Sequence, residues 1–382
     1  MDSESFFQRA IQCFAQQDTA GALAALKRAA DAGHSMATLY LAEQYFRDDA
    51  DLAFRFLRQQ WRKGISGSLH RLVTLKAFFT EQALTIADFI DLYEEGCNGH
   101  VESLLILAHL TIKDIPKNPF IGMLHQRVPQ LIIDLDCLDN LGPVDDTLTL
   151  SSIEPVLLTA LNNWDSRAER QLEISMQTCG IALYKGICSR LASAYIKLRL
   201  GPLMQPSMVH DPRTGKGIRN DVRTSCVVQV TPDHIDWFIL ELDNILATLM
   251  GECCSRAEAM SLLRYQPGQE YKPHYDAIIG QGAEFDKTLS DGGQRIKTAL
   301  TYLSDDYQGG ETLFPKLGLK IKAAIGDVLV FNNLTQDGNV ALDSYHAGAP
   351  VEKGTKWVLT RWVRESTTHY GAVVYPKKVI YE

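Results

Sequence analysis

The spacing of hydrophobic residues divides the chain into a helical first part and a strand-rich last part. Over the first hundred residues Ala and Leu recur at helical spacing, and glycines mark the turns. After Pro202 the apolar stretches become short and are mostly bounded by Gly, Asp or Pro, which is typical of strands. The pattern predicts strands at 226–230, 260–265, 296–303 and 328–331, interrupted by a helix at 234–249. Short strands at turn-rich spacing indicate a double-sheet jelly roll.

An internal repeat appears in the helical part when Gly33, Gly64 and Gly99 are aligned. These glycines are 31 and 35 residues apart, a period typical of helical-hairpin solenoids. Each is followed at fixed distances by a small residue, a leucine and another apolar residue: Ala37, Ser68 and Ser103, then Leu41, Leu72 and Leu107, then Ala42, Val73 and Ala108. A small residue lets two helices approach closely, and the leucine fills the groove beside it.

The first repeat unit, residues 24–34, resembles the short tetratricopeptide-like repeats that bacteria use as protein-binding modules. The next two units are degenerate. The resemblance implies a surface that recruits another protein. The alternative is a plain helical bundle that only supports the rest of the chain.

The predicted domain organisation has three parts. Residues 1–115 form the helical repeat domain. Prolines and a Gly-Pro pair loosen the pattern at 116–166, which predicts a linker or packing segment with a short helix at 153–163. A longer helical pattern runs from about 167 to 200 and stops at Gly201-Pro202, because proline cannot continue a helix. It opens the third part, residues 167–382.

The composition limits the cellular compartment and the binding partners that we expect for this chain. A net charge of −8 and a pI of about 5.7 argue against nucleic acid as the main partner, since phosphate binding needs a positive surface. The acidic N-terminus is followed by no apolar signal region, and the longest apolar run, around 104–110, is too short to span a bilayer. Eight scattered cysteines without a C-x-x-C pair favour free thiols in a reducing compartment. We therefore predict a cytoplasmic protein without nucleic-acid or membrane partners; the oligomeric state is not indicated.

The most informative short motif is a histidine and an aspartate separated by one residue, His274 and Asp276. On a strand both side chains point to the same face. With a second histidine from a distant strand, for which His346 is the candidate, they form a two-histidine, one-carboxylate triad that leaves open positions on a ferrous ion. Alone the motif is weak, and an ordinary pair of strand residues is the alternative.

Motifs on both sides of this pair match one family in order and spacing. They are Arg223–Ser225, Arg264–Gln269, His274–Asp276, Gly292–Arg295, Thr298–Leu303, Gly309–Pro315, Gly326–Phe331 and His346–Trp362. On these motifs, residues 171–365 resemble the prolyl 4-hydroxylase-type domain of the iron- and 2-oxoglutarate-dependent dioxygenases. The expected fold class is therefore α+β multidomain, with helical hairpins followed by a double-stranded β-helix (jelly-roll) domain and flanking helices.

The resemblance also implies the site. His274, Asp276 and His346 would bind Fe(II), and 2-oxoglutarate and O2 would take the open positions. Lys356 would pair with the distal carboxylate of 2-oxoglutarate, since a buried charge needs a fixed partner. Tyr265 and Thr298 match positions whose hydroxyls contact the same co-substrate, and Trp362 matches the aromatic wall of its pocket. The alternatives are a solvated Lys356 and packed strand residues at the other three positions.

The implied activity is decarboxylation of 2-oxoglutarate to succinate, coupled to hydroxylation of a substrate C–H bond. The resemblance favours a prolyl residue in a peptide or protein, recruited by the helical repeats, and allows ascorbate as an accessory reductant. The segment 277–291 is predicted to be either a lid over the substrate or a static loop. Two other functions stay open: the same chemistry on a non-prolyl residue, free amino acid or small metabolite, and a protein-binding scaffold with an inactive jelly roll.

Overall fold

The computed structural model describes residues 2–133, 150–165, 172–207, 209–210, 217–218 and 222–375. It separates into two compact units, residues 1–169 and 170–382. Parts of the predicted linker, 134–149, and the start of the helix predicted from 167 lie outside the described residues. Among the residues that are described, no helix combines the length and the apolar character needed to cross a membrane.

The first unit is helical throughout its described residues, as the sequence predicts. Its helices are α1 Ser3–Ala15, α2 Thr19–Asp31, α3 Ser35–Asp48, α4 Ala50–Arg62, α5 Ser68–Phe79, α6 Ile86–Cys97, α7 Val101–Thr111, α8 Pro119–Arg127, α9 Pro129–Ile133 and α10 Leu150–Asp165. Several begin at a polar cap that accepts a hydrogen bond from the first turn, such as Asp18 at α2 and Asp49 at α4.

The three aligned glycines occupy equivalent places in this unit. Gly33, Gly64 and Gly99 follow α2, α4 and α6, and all three have positive φ, so each ends a helix in the left-handed conformation that glycine adopts readily. The repeated small, leucine and apolar residues lie on α3, α5 and α7, and all nine are buried. The repeat is therefore a helical hairpin, while its assignment to the tetratricopeptide class stays a prediction.

The predicted linker is partly a helix of the first unit. α10 is longer than the helix predicted at 153–163, and it packs on its neighbours through Trp164, whose ring meets Phe78 edge to face at 5.5 Å. The Asn163 amide donates to the carbonyl of Leu110 at 2.6 Å. These contacts place residues 150–165 against α5 and α7.

Within its described residues, the second unit contains the strands and four further α-helices. They are β1 Ile174–Thr178, β2 Ile181–Tyr184, α11 Arg190–Leu200, β3 Gln205–Pro206, β4 Val209–His210, β5 Gly217–Ile218, β6 Cys226–Gln229, α12 Trp237–Met250, β7 Ser261–Tyr265, β8 Tyr271–His274, α13 Ala283–Leu289, β9 Arg295–Tyr302, β10 Gln308–Gly309, β11 Thr312–Phe314, β12 Leu319–Ile321, β13 Val328–Asn332, β14 His346–Gly348, β15 Val351–Lys353, β16 Lys356–Arg364 and α14 His369–Val374. The four predicted strands and the helix α12 are confirmed within a few residues.

The helix predicted from 167 to 200 is wrong over its first half. Its described residues before 190 form the antiparallel hairpin β1–β2, and only α11 is helical. The hairpin turns at Cys179 and Gly180, which both have positive φ. β2 then pairs with β13, so hydrogen bonds to the large sheet favour the extended conformation over the local helical pattern.

Two antiparallel sheets build the jelly roll. The large sheet has the strand order β1-β2-β13-β9-β16-β7-β6-β3, and the small one has the order β12-β11-β14-β8. Their inner faces share one hydrophobic core, in which Phe314 of the small sheet meets Phe331 of the large sheet edge to face at 5.4 Å. The predicted fold class is confirmed.

Candidate active site

Two neighbouring strands of the small sheet bring the predicted metal ligands together. His274 ends β8 and His346 begins β14, and the two residues are direct partners in the antiparallel register. Asp276 lies two residues beyond the end of β8, yet its carboxylate returns to the same side. Its Oδ1 is 3.5 Å from His274 Nε2 and its Oδ2 is 3.7 Å from His346 Nε2. One ligand atom from each of the three residues lies within 4.8 Å of the other two.

Backbone carbonyls fix the orientation of both imidazoles. His274 Nδ1 donates to the carbonyl of Lys272 at 2.8 Å, and His346 Nδ1 donates to that of Ser344 at 2.9 Å. A carbonyl oxygen only accepts, so Nδ1 of each ring carries a proton and Nε2 faces the site. This is the arrangement by which second-shell partners orient metal-binding histidines.

The carboxylate is held from the large sheet. Thr298 on β9 donates its hydroxyl to Asp276 Oδ2 at 2.8 Å, and the Asn333 amide donates to the Thr298 hydroxyl at 2.9 Å. Burial alone would raise the pKa of Asp276, but hydrogen bonding and nearby positive charge, including that of Arg295, keep it well below its usual value. The carboxylate is therefore ionised at neutral pH.

The ligand set fits a ferrous ion. Burial lowers the pKa of His346 to about 4, against the opposing effect of Asp276, so this imidazole is neutral and can donate its lone pair. Within the described part of the chain, the buried Nε2 of His274 has no hydrogen-bond partner, as expected of an atom that binds a metal. Two imidazoles and one carboxylate would hold such an ion and leave positions on it open for co-substrates.

A pocket continues from these ligands into the jelly roll and ends at Lys356. This lysine is only 4% exposed; its Nζ donates to the carbonyl of Gly310 at 2.7 Å and lies 5.8 Å from the ring centroid of Tyr265. Burial lowers the pKa of Lys356 to about 8, partly offset by Glu311. Among the described residues no carboxylate forms an ion pair with Lys356, so this buried amine suits the carboxylate of a ligand.

The structure places three of the four predicted co-substrate residues around this pocket. Lys356, Tyr265 and Trp362 line it, together with Leu300, Thr312, Val358 and Thr360. Thr298 does not line it: its hydroxyl is fully buried against Asp276 and Asn333, so it orients the metal-binding carboxylate instead of facing the co-substrate. Sequence reasoning assigned no role to Thr312 and Thr360, although both lie within motifs that it singled out.

Two side chains that line this pocket have buried polar atoms without a hydrogen-bond partner among the described residues. Thr360 Oγ1 and Trp362 Nε1 are buried and make no hydrogen bond within the described residues. Burying such groups without a partner is costly, so the pocket suits a ligand that supplies polar atoms. A short dicarboxylate such as 2-oxoglutarate meets this condition.

A buried ion-pair network holds Trp362, and sequence reasoning assigned it no role. Arg295 binds Glu258 through both guanidinium branches, at 2.6 and 2.8 Å, and Arg364 contacts the same carboxylate. The guanidinium carbon of Arg295 lies 4.2 Å from the ring centroid of Trp362. Bidentate pairing and stacking together hold this aromatic wall of the pocket in place.

A jelly roll that presents a His-Asp-His triad beside a pocket ending in a buried lysine defines the class of Fe(II)- and 2-oxoglutarate-dependent oxygenases. Residues 260–364 match the model of the 2OG-Fe(II) oxygenase superfamily. The chain is 35% identical to prolyl 4-hydroxylase 1 of Arabidopsis thaliana, over 46% of this chain and 65% of the relative. It is 32% identical to the probable prolyl 4-hydroxylase 10 of the same plant, over 56% of this chain and 79% of the relative.

Among solved structures, the viral collagen prolyl hydroxylase of Paramecium bursaria Chlorella virus-1 is similar over 48% of this chain and 96% of its own, with 22% identity and a TM-score of 0.38. By its sequence relatives, the chain belongs to the prolyl 4-hydroxylase family of Fe(II)- and 2-oxoglutarate-dependent oxygenases. The family resemblance drawn from the motifs is thus confirmed, and Fe(II), 2-oxoglutarate and O2 are the cofactor and co-substrates of this family.

Proposed function

We propose that the protein hydroxylates a prolyl residue in a peptide or protein and converts 2-oxoglutarate to succinate and carbon dioxide in the same reaction. The observation that carries the proposal is the complete triad of His274, Asp276 and His346 at one end of a pocket that ends at Lys356. The prolyl substrate is supported by sequence similarity: the chain is 32% and 33% identical to two probable prolyl 4-hydroxylases over 79% and 73% of their length.

Each part of the site has a separate task. Bound Fe(II), with 2-oxoglutarate and O2, supplies the oxidising chemistry that replaces a substrate hydrogen by a hydroxyl group. The triad holds the ion on one face, and Thr298 keeps the carboxylate oriented toward it. Lys356 fixes the distal carboxylate of the co-substrate, while Leu300 and Val358 provide apolar walls that exclude water.

The direct test is an assay of the full chain with Fe(II), 2-oxoglutarate, ascorbate and proline-containing peptides. We expect succinate and a mass gain of one oxygen atom on a proline. Succinate formation with oxygen added only to other residues or to a small molecule would contradict the prolyl assignment. Absence of Fe(II)-dependent succinate formation under all conditions would favour the scaffold function instead.

The affinity for 2-oxoglutarate is expected to fall as the pH rises above about 8. The pKa of Lys356 in the empty pocket is about 8, because burial disfavours its charged form. A dicarboxylate binds the ammonium form, which dominates below that pH and is lost above it, so the Kd should approach a tenfold increase per pH unit. Calorimetric titration of the Mn(II)-loaded protein between pH 7 and 9.5 measures the slope. In Lys356→Arg the charge persists throughout this range, and a slope as steep as in the wild type would contradict the assignment.

We also propose that the helical unit recruits the protein substrate through a groove between α2 and α3. The groove has a volume of about 310 Å³ and is lined by Leu23, Ala24, Lys27, Leu41, Gln44, Tyr45, Arg47 and Asp48. On each helix these residues lie on one face, and they combine apolar and charged side chains, which suits a peptide segment better than a uniformly apolar ligand. Such a segment would lie away from the hydroxylated residue and raise its local concentration at the active site.

Filling the groove should impair the turnover of a protein substrate and spare short peptides. Ala24 is exposed, and arginine is a good helix former, so Ala24→Arg narrows the groove without disturbing the fold. We expect KM for a protein substrate to rise at least about fivefold, because losing one contact worth about 1 kcal/mol weakens binding by that factor. Ala15→Arg, at an exposed alanine of α1 outside the groove, is the matched control. Equal KM values for both variants would refute the recruiting role.

A further inference from the structure

The motif Gly292–Arg295 forms the turn that leads into β9. Both of its glycines have positive φ, and neither leaves room for a side chain. A Cβ atom on Gly292 would lie 2.9 Å from the carbonyl oxygen of Ser366, and one on Gly293 would overlap the carboxylate of Glu365. The turn therefore packs directly against the chain that follows β16, and glycine is required at its first two positions.

Gln294 is held at the end of this turn and reaches across to another segment. Its backbone N–H donates to the carboxylate of Glu365 at 2.8 Å, and its carbonyl accepts from the N–H of the same residue at 3.1 Å. Its side-chain Oε1 accepts from the backbone N–H of Ile278 at 2.6 Å, and its Nε2 donates to the carbonyl of Ile278 at 2.9 Å. Oε1 also accepts from the N–H of Arg295 at 2.9 Å, so two donors fix the orientation of the amide.

The stretch that carries Asp276 needs such a partner because it has left the sheet. β8 ends two residues earlier, and among the described residues no backbone-to-backbone hydrogen bond involves residues 276–280. Two side chains hold the stretch instead: Thr298 donates to the Asp276 carboxylate at 2.8 Å, and Gln294 pairs with both backbone groups of Ile278. The Cα atoms of Asp276 and Ile278 are at most about 7 Å apart, so a shift of Ile278 moves the backbone of the metal ligand.

We propose that Gln294 is a positioning residue of the metal site, which holds Ile278 as a neighbouring strand would and thereby keeps the Asp276 carboxylate directed at the metal. Glutamine suits this task because its planar amide carries both a donor and an acceptor. Gln294 lies outside the described lining of the pocket, so it acts only through the ligand. The inference rests on the triad of the proposed function, and it assigns a role to a motif that the family resemblance left without one.

Gln294→Met should weaken metal binding. Methionine keeps the length of the side chain and removes its donor and acceptor, so both backbone groups of Ile278 lose their partner. We expect the Kd for Mn(II) to rise about tenfold, the lower end of the 10- to 100-fold cost of removing an outer-shell partner, because Gln294 acts through the backbone. Titration of the full chain with Mn(II), followed by electron paramagnetic resonance, measures the change.

Gln294→Asn is a second, milder variant. It keeps the amide but is shorter by one carbon–carbon bond, about 1.5 Å, so it does not reach Ile278 from a backbone that Glu365 holds. It should therefore also raise the Kd for Mn(II) about tenfold, and it serves as the test if Gln294→Met does not fold. Wild-type Mn(II) affinity in a folded variant of either kind overturns the positioning role.

Gln269→Met is the matched control. This half-buried glutamine also pairs with two backbone groups, accepting from the N–H of Gln266 at 2.8 Å and donating to the carbonyl of Thr224 at 2.6 Å, but neither group lies beside a metal ligand. Both methionine variants should lower the melting temperature by a similar amount, whereas only Gln294→Met should weaken Mn(II) binding. Equal losses of Mn(II) affinity in the two variants would mean that Gln294 serves only the fold.

A double-mutant cycle with Asp276→Ala tests whether the effect passes through the carboxylate. Ni(II) is the probe, because it binds nitrogen ligands more strongly than Mn(II) and keeps weak complexes measurable. Gln294→Met should weaken Ni(II) binding about tenfold when Asp276 is present and less than twofold when it is already alanine. Additive losses would overturn the positioning role alone. Equal Ni(II) affinity of the wild type and Asp276→Ala would overturn the triad itself, and the role of Gln294 with it.

Discussion

Asp276→Ala is expected to lower 2-oxoglutarate turnover by more than about 100-fold, because even outer-shell partners of metal ligands cost 10- to 100-fold when they are removed. Asp276 is the only anionic member of the triad, and its carboxylate lies between the two imidazoles. Without it two neutral rings remain, and a ferrous ion is bound weakly and without fixed orientation. The loss should therefore appear in metal affinity as well as in succinate formation.

Two measurements and one control variant define this result. Mn(II) titration followed by electron paramagnetic resonance gives the metal affinity, and succinate release gives the turnover. Asp343→Ala removes an exposed carboxylate from the segment that leads into His346 and should leave both quantities within twofold of the wild type. Turnover by Asp276→Ala above a tenth of the wild-type rate would contradict the assigned triad.

The metal ligands could be predicted because their spacing and order are visible in the sequence. His274 and Asp276 are two residues apart, and His346 stands in a motif that the family resemblance aligns. The pairing of His346 with His274 on adjacent antiparallel strands could not be read from the chain, since 71 residues between them fold into other strands and loops. No hairpin turn joins the two strands, so no short loop in the sequence fixes their register.

Thr298 shows a limit of assigning the role of a side chain from a family motif. The motif correctly places it on β9 beside the site, yet the direction of its hydroxyl depends on Asp276 and Asn333, which reach it from other elements. The network of Glu258, Arg295 and Arg364 was not predicted for the same reason, because the three residues come from separate segments. Side-chain partners across a sheet carry no local sequence signal.

The hydrophobic pattern also gave a wrong secondary structure where pairing with a distant strand overrides local preference. The stretch before α11 shows apolar spacing that fits a helix, but β2 inserts beside β13 and adds an edge hairpin to the large sheet. In the helical unit the opposite holds: the glycines that follow α2, α4 and α6 end those helices through their own backbone preference. The sequence thus predicted those turns well, since local conformational preference decides them.

Lys356→Met is expected to raise the Kd for 2-oxoglutarate by about 100- to 4,000-fold. Removing one partner of a buried ion pair costs about 3–5 kcal/mol, and each 1.4 kcal/mol is a factor of ten in Kd. Lys356 lines the pocket and is only 4% exposed, so without it the distal carboxylate would lose a buried cationic partner. Methionine fills similar space but supplies no charge and no donor.

The same substitution should leave the melting temperature of the protein without ligand unchanged or raise it. Burial lowers the pKa of Lys356 to about 8. The charged amine is therefore less stable in the folded protein than in water, although it is still the main form at neutral pH. An apolar residue removes this cost, although the carbonyl of Gly310 loses its donor. Lys353→Met, at an exposed lysine of β15, is the control and should change neither quantity. Weaker 2-oxoglutarate binding in a protein of equal or higher melting temperature identifies a lysine kept for binding, whereas a lower melting temperature with unchanged Kd would mean that Lys356 serves only the fold.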